Sequence, residues 1–363
     1  MSYRHGAIAA AALSLAMLVP GGFAGAADLP VKAKPVVDVP FFFVIDNRVT
    51  YSYIFSGTDP GVYTVQPDGT FNGKTAKQVY SFTHFDAWAY GTNFFTVSMY
   101  KSDHNDPVNG CPFPNPGNCA GATEIYGLFR STIGWNEIFN TKAFSIGPLH
   151  NISFAIGADA NTENNTLAPA KRDFVAGLQF AFDLPYKGYF NVRPLYYKEL
   201  NHNAFTQCGG PVGPVPAIPG ITCTQDGNTN YRGTWAVETN YYMDLGFLPE
   251  SAQYFSISGR AAWYGEKGLE NSPLPGPPGG GGTPTAIEFN SEPIRLTFDA
   301  SKATAGPKYS HLVDVWVAYR YWQNKFGLDH ANSLVCNVVV PGGLRSNNSC
   351  TESSLYSGVT VKF

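Results

Sequence analysis

The chain has 363 residues, 15% of them aromatic and only 14% charged, with 38 glycines, 27 prolines and a formal net charge of −3. A soluble domain normally carries about a quarter charged residues, so this composition favours one β-barrel over two soluble domains of the same total length. A net negative chain also offers no electrostatic footprint for nucleic acid.

The first segment reads as a removable address. A basic start with Arg4 and His5 precedes the apolar run Ala7 to Val19, then Pro20, Gly21, Gly22 and small residues at Ala24 and Ala26. These are the three parts of a secretory signal peptide over residues 1–26, with cleavage after Ala26 or Ala27. The run falls short of the ~20 apolar residues that a membrane-spanning helix needs, and no later segment reaches that length. Residues 27–40 follow as a periplasmic lead-in; their prolines Pro30, Pro35 and Pro40 deny ladder hydrogen bonds.

From residue 41 onward the chain alternates. Strand one is expected over about Phe41 to Phe55, with Phe43, Ile45, Val49 and Tyr51 opposite Asp46, Arg48, Thr50 and Ser52. Strand two (about Ala76 to Ala89) alternates less cleanly, and only the sharing of one side by His84, Asp86 and Trp88 can be read. A turn at Gly91 to Asn93 leads to strand three (about Phe94 to Lys101), and strand four (about Glu124 to Trp135) groups Glu124, Tyr126 and Arg130. Strand five (about His150 to Ala160) presents Ile152, Phe154 and Ile156, and strand six (about Arg172 to Asp183) sets Phe174, Leu178, Phe180 and Phe182 against Asp173 and Gln179. Strand seven (about Tyr189 to Leu200) turns Asn191 and Arg193 away from Phe190 and Val192. Strands eight (about Tyr231 to Asp244), nine (about Ala252 to Gly265) and ten (about Phe289 to Ala300) repeat the pattern, with Arg260 and Arg295 on the polar face.

Strand eleven, within Ser310 to Asn324, is the clearest. Val313, Val315, Val317, Tyr319 and Tyr321 form one face, and Asp314, Trp316, Ala318, Arg320 and Trp322 the other. A half-buried soluble strand is usually about five or six residues, whereas a tilted membrane strand needs about 9–11 with an apolar lipid face. In hydrocarbon every backbone polar group must be paired inside the protein, so one such strand implies a closed set. Strand twelve, Ser353 to Phe363, supplies the last of them and ends in Phe363, as strands recognised by the outer-membrane barrel-assembly machinery do.

The expectation is therefore an all-β fold: a transmembrane antiparallel barrel of about twelve strands over residues 41–363, with short periplasmic turns and long extracellular loops. The six cysteines fall as Cys111 and Cys119, Cys208 and Cys223, Cys336 and Cys350, each couple inside one long connection. In this topology only these three local pairings stay within single loops, and an oxidising periplasm makes disulfides normal. A structural zinc site would want closely spaced cysteines with histidines, which the spacing does not offer.

No GxSxG, HExxH or phosphate-binding glycine loop is present, no cofactor is implied, and the chain reads as a non-enzyme. The informative set is arginine. Arg48, Arg130, Arg193, Arg260, Arg295 and Arg320 each fall mid-strand on the polar face, with Asp46, Glu124, Glu238, Asp299 and Asp314. They read either as lumen salt bridges that stiffen the wall or as groups lining a pore. Tyr126, Tyr242, Tyr264, Trp316 and Trp322, with Trp88 as a further candidate, add rings that can stack on a planar base or form interfacial girdles.

The run YRYWQNKFG from Tyr319 to Gly327, the stretch His84 to Phe95, Phe144 to Pro148 and the closing strand resemble the nucleoside-specific channel-forming (Tsx-like) family of Gram-negative outer membranes. The resemblance runs in order from about residue 41 to 363, while the cysteine-bearing loops and the Gly/Pro run from Pro273 to Gly282 have no counterpart in it. The lead-in also resembles the mature start of alphaproteobacterial outer-membrane proteins. The resemblance implies a monomeric barrel in outer-membrane lipid with a narrow pore passing nucleosides. Trp316, Arg320, Trp322, Arg295 and Arg260 are the residues expected to meet the solute, with Asp314, Arg48, Arg130 and Arg193 also lining the pore. A general small-solute porin and a loop-mediated adhesin or phage receptor are the alternatives.

Overall fold

A computed structural model describes residues 40–112, 115, 117–204, 207–210, 217–220, 223–267 and 285–363. The expected signal peptide, nearly all of the lead-in and the Gly/Pro run lie outside these. Twelve long strands are present: β1 (Phe42–Gly57), β2 (Thr75–Trp88), β3 (Gly91–Ser102), β4 (Thr123–Gly134), β5 (Leu149–Glu163) and β6 (Ala170–Leu184); then β7 (Gly188–His202), β8 (Thr234–Asp244), β9 (Phe255–Tyr264), β10 (Glu288–Asp299), β11 (Val313–Gln323) and β12 (Glu352–Lys362). Each pairs antiparallel with its successor. Closure comes from β12 pairing back onto β1, from Arg48 opposite Lys362 to Ile54 opposite Tyr356. No sheet edge is left for lipid, as a membrane barrel requires.

The wall is inverted relative to a soluble protein. Outward side chains such as Ile45, Val49, Phe82, Val97, Phe129, Ile156, Leu296, Val317 and Val359 are exposed, while Lys77, Glu163, Glu199, Glu238, Arg320 and Glu352 point inward and are buried. Most of these polar groups can occupy that interior because they find partners inside the barrel, as Arg320 does in Glu352. Two glycines make room for large neighbours on the inner face: a Cβ at Gly157 would lie 2.5 Å from Cδ of Arg130, and one at Gly358 would lie 2.6 Å from Cζ2 of Trp316.

The connections separate the two ends. Ala89 and Tyr90 alone join β2 to β3, and a three-residue turn joins β6 to β7. The turn after β2 therefore precedes Gly91, which the sequence had placed in it, because Gly91 to Asn93 pair with Ile133 to Ser131 of β4. Strand eight begins later than expected, at Thr234, because Asn228–Asn230 forms a separate short strand on β7.

Strand two shows why its alternation was hard to read. Lys77, Val79 and Ser81 face inward with Thr83, whereas His84, Asp86 and Trp88 follow Phe82 on the outer wall. Trp88 is thus a girdle residue beside Phe41, at 5.8 Å between ring centres, and not a lumen aromatic. The outward His84 and Asp86 are held by a local network: His84 Nδ1 is 2.7 Å from Asn47 Oδ1, Asn93 donates to Asp86 (2.8 Å), and Ser131 donates to Asn93 (2.7 Å). Polar groups broke the apolar stripe, so periodicity gave no clear sign there.

Candidate functional site in the barrel lumen

Strand register puts all six arginines on the inner face, but burial divides them. Water reaches Arg48, with 38% of its side chain exposed, Arg295 with 29%, and Arg260, which is also exposed. Arg130 and Arg320, at 8% and 9%, are sealed from water. The lumen therefore has a water-accessible vestibule and a sealed polar layer.

In the vestibule, Arg48 Nε donates to Asp46 Oδ1 (2.6 Å), and Lys362 Nζ donates to Asp46 Oδ2 (2.8 Å). Arg295 Nε donates to Glu292 (2.6 Å), and its guanidinium lies 3.9 Å from the centre of the Trp316 ring. Arg260 reaches Asn290 Oδ1 at 3.4 Å and has no carboxylate within 4.0 Å among the described residues. It is the vestibule arginine without an ion pair, free to engage a solute.

The turn before β11 lies at the periplasmic end of the wall. His311 has φ of 60°, and its Nδ1 sits 3.0 Å from Asp314 Oδ1 and its Nε2 3.4 Å from the Tyr242 hydroxyl. Hydrogen bonding to Asp314, only partly opposed by burial, raises its pKa above the ordinary histidine value, with Asp299 and Asp244 adding to the rise. A raised folded-state pKa stabilises the protein fully below the unfolded value near 6.5, and the gain vanishes as pH rises through the folded value. His311→Asn, which tolerates a left-handed backbone, should cost about 1 kcal/mol at pH 5.5 and progressively less above neutrality. Urea titrations of both proteins at two pH values check this; an equal loss at pH 9 would mean that the imidazole charge is not involved. Asp299 beside it accepts from Lys302 N (2.8 Å), His311 N (2.9 Å) and Ser310 Oγ (2.7 Å), so it caps a short helix and the turn.

The sealed layer is crossed by a bridge. Arg130 on β4 donates from Nε and Nη2 to both oxygens of Glu238 on β8 (3.1 and 2.6 Å), and also to Asp159 on β5. Strands β4 and β8 are four apart around the wall, so this bond spans the lumen. Arg193 Nε donates to Gln179 (2.7 Å) and lies 3.9 Å from Glu238. Two inward apolar clusters narrow the bore on either side. One joins Ile54, Val79, Trp316, Ala318 and Tyr356; the other joins Ala155, Val175, Leu195, Tyr197 and Ala236.

At the extracellular end Arg320 bonds Glu352, Trp322 Nε1 donates to Glu288 (2.9 Å), and Lys267 bridges Glu199 (2.7 Å) and Glu288 (2.9 Å). Over this sits a lid of loops with its own core: Val62, Leu167, Ala204, Leu328 and Val335 with Cys336 and Cys350. The disulfides are Cys111–Cys119, Cys208–Cys223 and Cys336–Cys350, each within one connection. The lid is tied across chain segments by Gly61 N to Ser349 Oγ (2.9 Å) and Ala204 N to Leu167 O (3.0 Å).

Of the expected solute contacts, Arg260, Arg295 and Arg48 reach the vestibule, and Asp314 sits at its rim beside His311. Trp316 is covered by Arg295 on its face and by Tyr356 at its edge (4.9 Å). Arg320 belongs to the sealed layer, and the half-buried Trp322 is tied to Glu288 beside it. Sequence alternation could assign faces but not these depths, because depth depends on which side chains meet across the bore. It likewise missed the Arg130–Glu238 bridge, which joins residues 108 apart in sequence.

No family model matches the chain, and no curated protein sequence does. Solved structures similar to it in outline include the β domain of the Bordetella autotransporter BrkA, 8% identical with a TM-score of 0.34 over 88% of this chain and 99% of that one. A Pseudomonas aeruginosa FadL homologue is 8% identical with a TM-score of 0.32, covering 88% of each chain. Pseudomonas aeruginosa OccK11 (OpdR) is 9% identical with a TM-score of 0.26, covering 88% of this chain and 95% of that one. The closed ladder of twelve strands, the outward apolar band and the charged interior give this chain the fold of an outer-membrane β-barrel.

Proposed function

We propose that the protein is an outer-membrane channel for small hydrophilic solutes, with nucleosides as the preferred class. The observation that carries this reading is the vestibule: Arg260 free of an ion pair and Arg295 stacked on Trp316, in a bore lined by both signs of charge. Twelve strands lie between the eight-strand barrels filled by side chains and the 16–18-strand porins with wide channels, so inward side chains set what passes. A mixed wall favours a neutral, polar, planar solute over simple ions, and the resemblance of Tyr319 to Gly327 to nucleoside-specific channels supports the same class. Release requires weak binding, so millimolar affinity is expected, roughly −4 kcal/mol.

Planar-bilayer conductance with a panel of nucleosides as blockers tests the reading. Arg260→Ala should weaken nucleoside block about tenfold, the loss of one charge-assisted hydrogen bond, and Arg295→Ala should do so comparably. Unchanged block in both variants sinks the lumen-selectivity part, and no conductance under any condition sinks the channel. A second reading, a receptor barrel recognised through its loops, is favoured by the disulfide-stapled lid over the outer mouth. It predicts a surface ligand captured by the intact lid and lost on its reduction.

A further inference from the structure

Three carboxylates converge at the extracellular mouth from different segments, Asp59 after β1, Glu124 at the start of β4 and Glu163 at the end of β5, and a fourth, Asp106 after β3, lies beside Glu163. Oxygens of Asp59, Glu124 and Glu163 lie within 4.8 Å of one another. Two ammonium groups answer them. Lys77 Nζ is 2.6 Å from Asp59 Oδ2 and only 3.8 and 3.9 Å from Glu124 and Glu163, and Lys325 Nζ is 3.6 Å from Asp59 and 3.4 Å from Glu352. Both cations thus lean toward the Asp59 side.

The other side is left short of positive charge. Asp106 is fully buried and meets no basic side chain within 4.0 Å among the described residues. Asn165 donates to its Oδ1 (3.2 Å) and the Ser102 hydroxyl also meets the carboxylate, but Oδ2 makes no hydrogen bond of good geometry, and neither does Glu163 Oε1, whose nearest cation is Lys77 at 3.9 Å. The two carboxyl groups lie within hydrogen-bond reach of each other. Two buried carboxylates facing one another need a proton or a cation between them, since isolated ionised groups are expensive to bury.

We propose that this mouth binds one divalent cation of the calcium type, held by Asp106 and Glu163 with Glu124 and Asp59 completing an oxygen shell, while Lys77 remains on Asp59. Calcium suits the set because it takes 6–8 oxygen ligands at 2.3–2.6 Å in flexible geometry and prefers carboxylates and carbonyls. The ion joins the first and second long loops to the tops of β4 and β5, so it pins the lid to the barrel. The proposal stands apart from the channel reading, because binding is read without any transport measurement.

Equilibrium dialysis of the detergent-solubilised full chain with radioactive calcium at pH 7.5 is the test. The expected result is saturable uptake of one ion per chain with half-saturation at about 0.1–1 mM, the range of extracellular sites, weakened at least about tenfold by Glu163→Gln and by Asp106→Asn. Calcium should also raise the thermal unfolding temperature of the wild type and of the exposed control Asp68→Asn, but not of those two variants. No saturable uptake by the wild type overturns the proposal even if the variants do not fold, and so does unaltered affinity in both variants. Wild-type stability that responds to acid but not to calcium overturns it in favour of a shared proton.

Discussion

Replacing Arg130 by methionine is expected to cost the barrel about 3–5 kcal/mol of stability and to raise its single-channel conductance. The guanidinium is the cation that Glu238 and Asp159 share, and both carboxylates are buried where water cannot take its place. Removing it leaves Glu238 with Arg193 at 3.9 Å and Asp159 with the Tyr126 hydroxyl at 3.0 Å. Breaking a buried pair by removing one partner is costly because the other charge stays behind. Losing the bond between β4 and β8 also removes an obstacle from the bore, so conductance and stability should move in opposite directions. The triple variant Arg130→Met, Glu238→Gln, Asp159→Asn should regain much of the stability and keep the higher conductance. If Arg130→Met unfolds at the wild-type urea concentration and conducts identically, the bridge neither braces nor obstructs the lumen.

Removal of the Cys336–Cys350 disulfide should have the second largest effect, and it should be local to the lid. The crosslink closes a segment of 14 residues, for which loop-closure entropy gives about 3 kcal/mol. Both cysteines sit in the lid's core beside Val335 and Leu328. With Cys336→Ala and Cys350→Ala together, lid opening becomes easier, seen as frequent transitions to a higher-conductance level and as faster proteolysis within residues 324–351. The same transitions should follow addition of reductant to the wild type. Cys111 and Cys119 are partly exposed and outside that core, so their double replacement should leave the recordings unchanged. Identical recordings for all three proteins would mean that the lid does not govern access.

The sequence by itself determined the wall. A period of two sustained over whole strands, as in Val313 to Trp322, is decided by local chemistry: one face must meet lipid and the other must not, so face, strand number and the pairing of cysteines within loops were all legible. Where the lipid face is itself polar, at Asn47, His84, Asp86 and Asn93, the signal failed, since a hydrogen-bonded network had replaced the apolar stripe. Only the tertiary structure decided the interior. Whether an inward arginine meets water, as Arg260 does, or a carboxylate from across the bore, as Arg130 does, depends on barrel closure and on strand stagger. Neither leaves a trace in the spacing of residues along one strand. The lid was decided in the same way: Val62, Leu167, Ala204 and Val335 are scattered over four loops with no periodicity. Their burial follows from the loops meeting over one mouth, where apolar groups with no lipid to face exclude water by packing on one another.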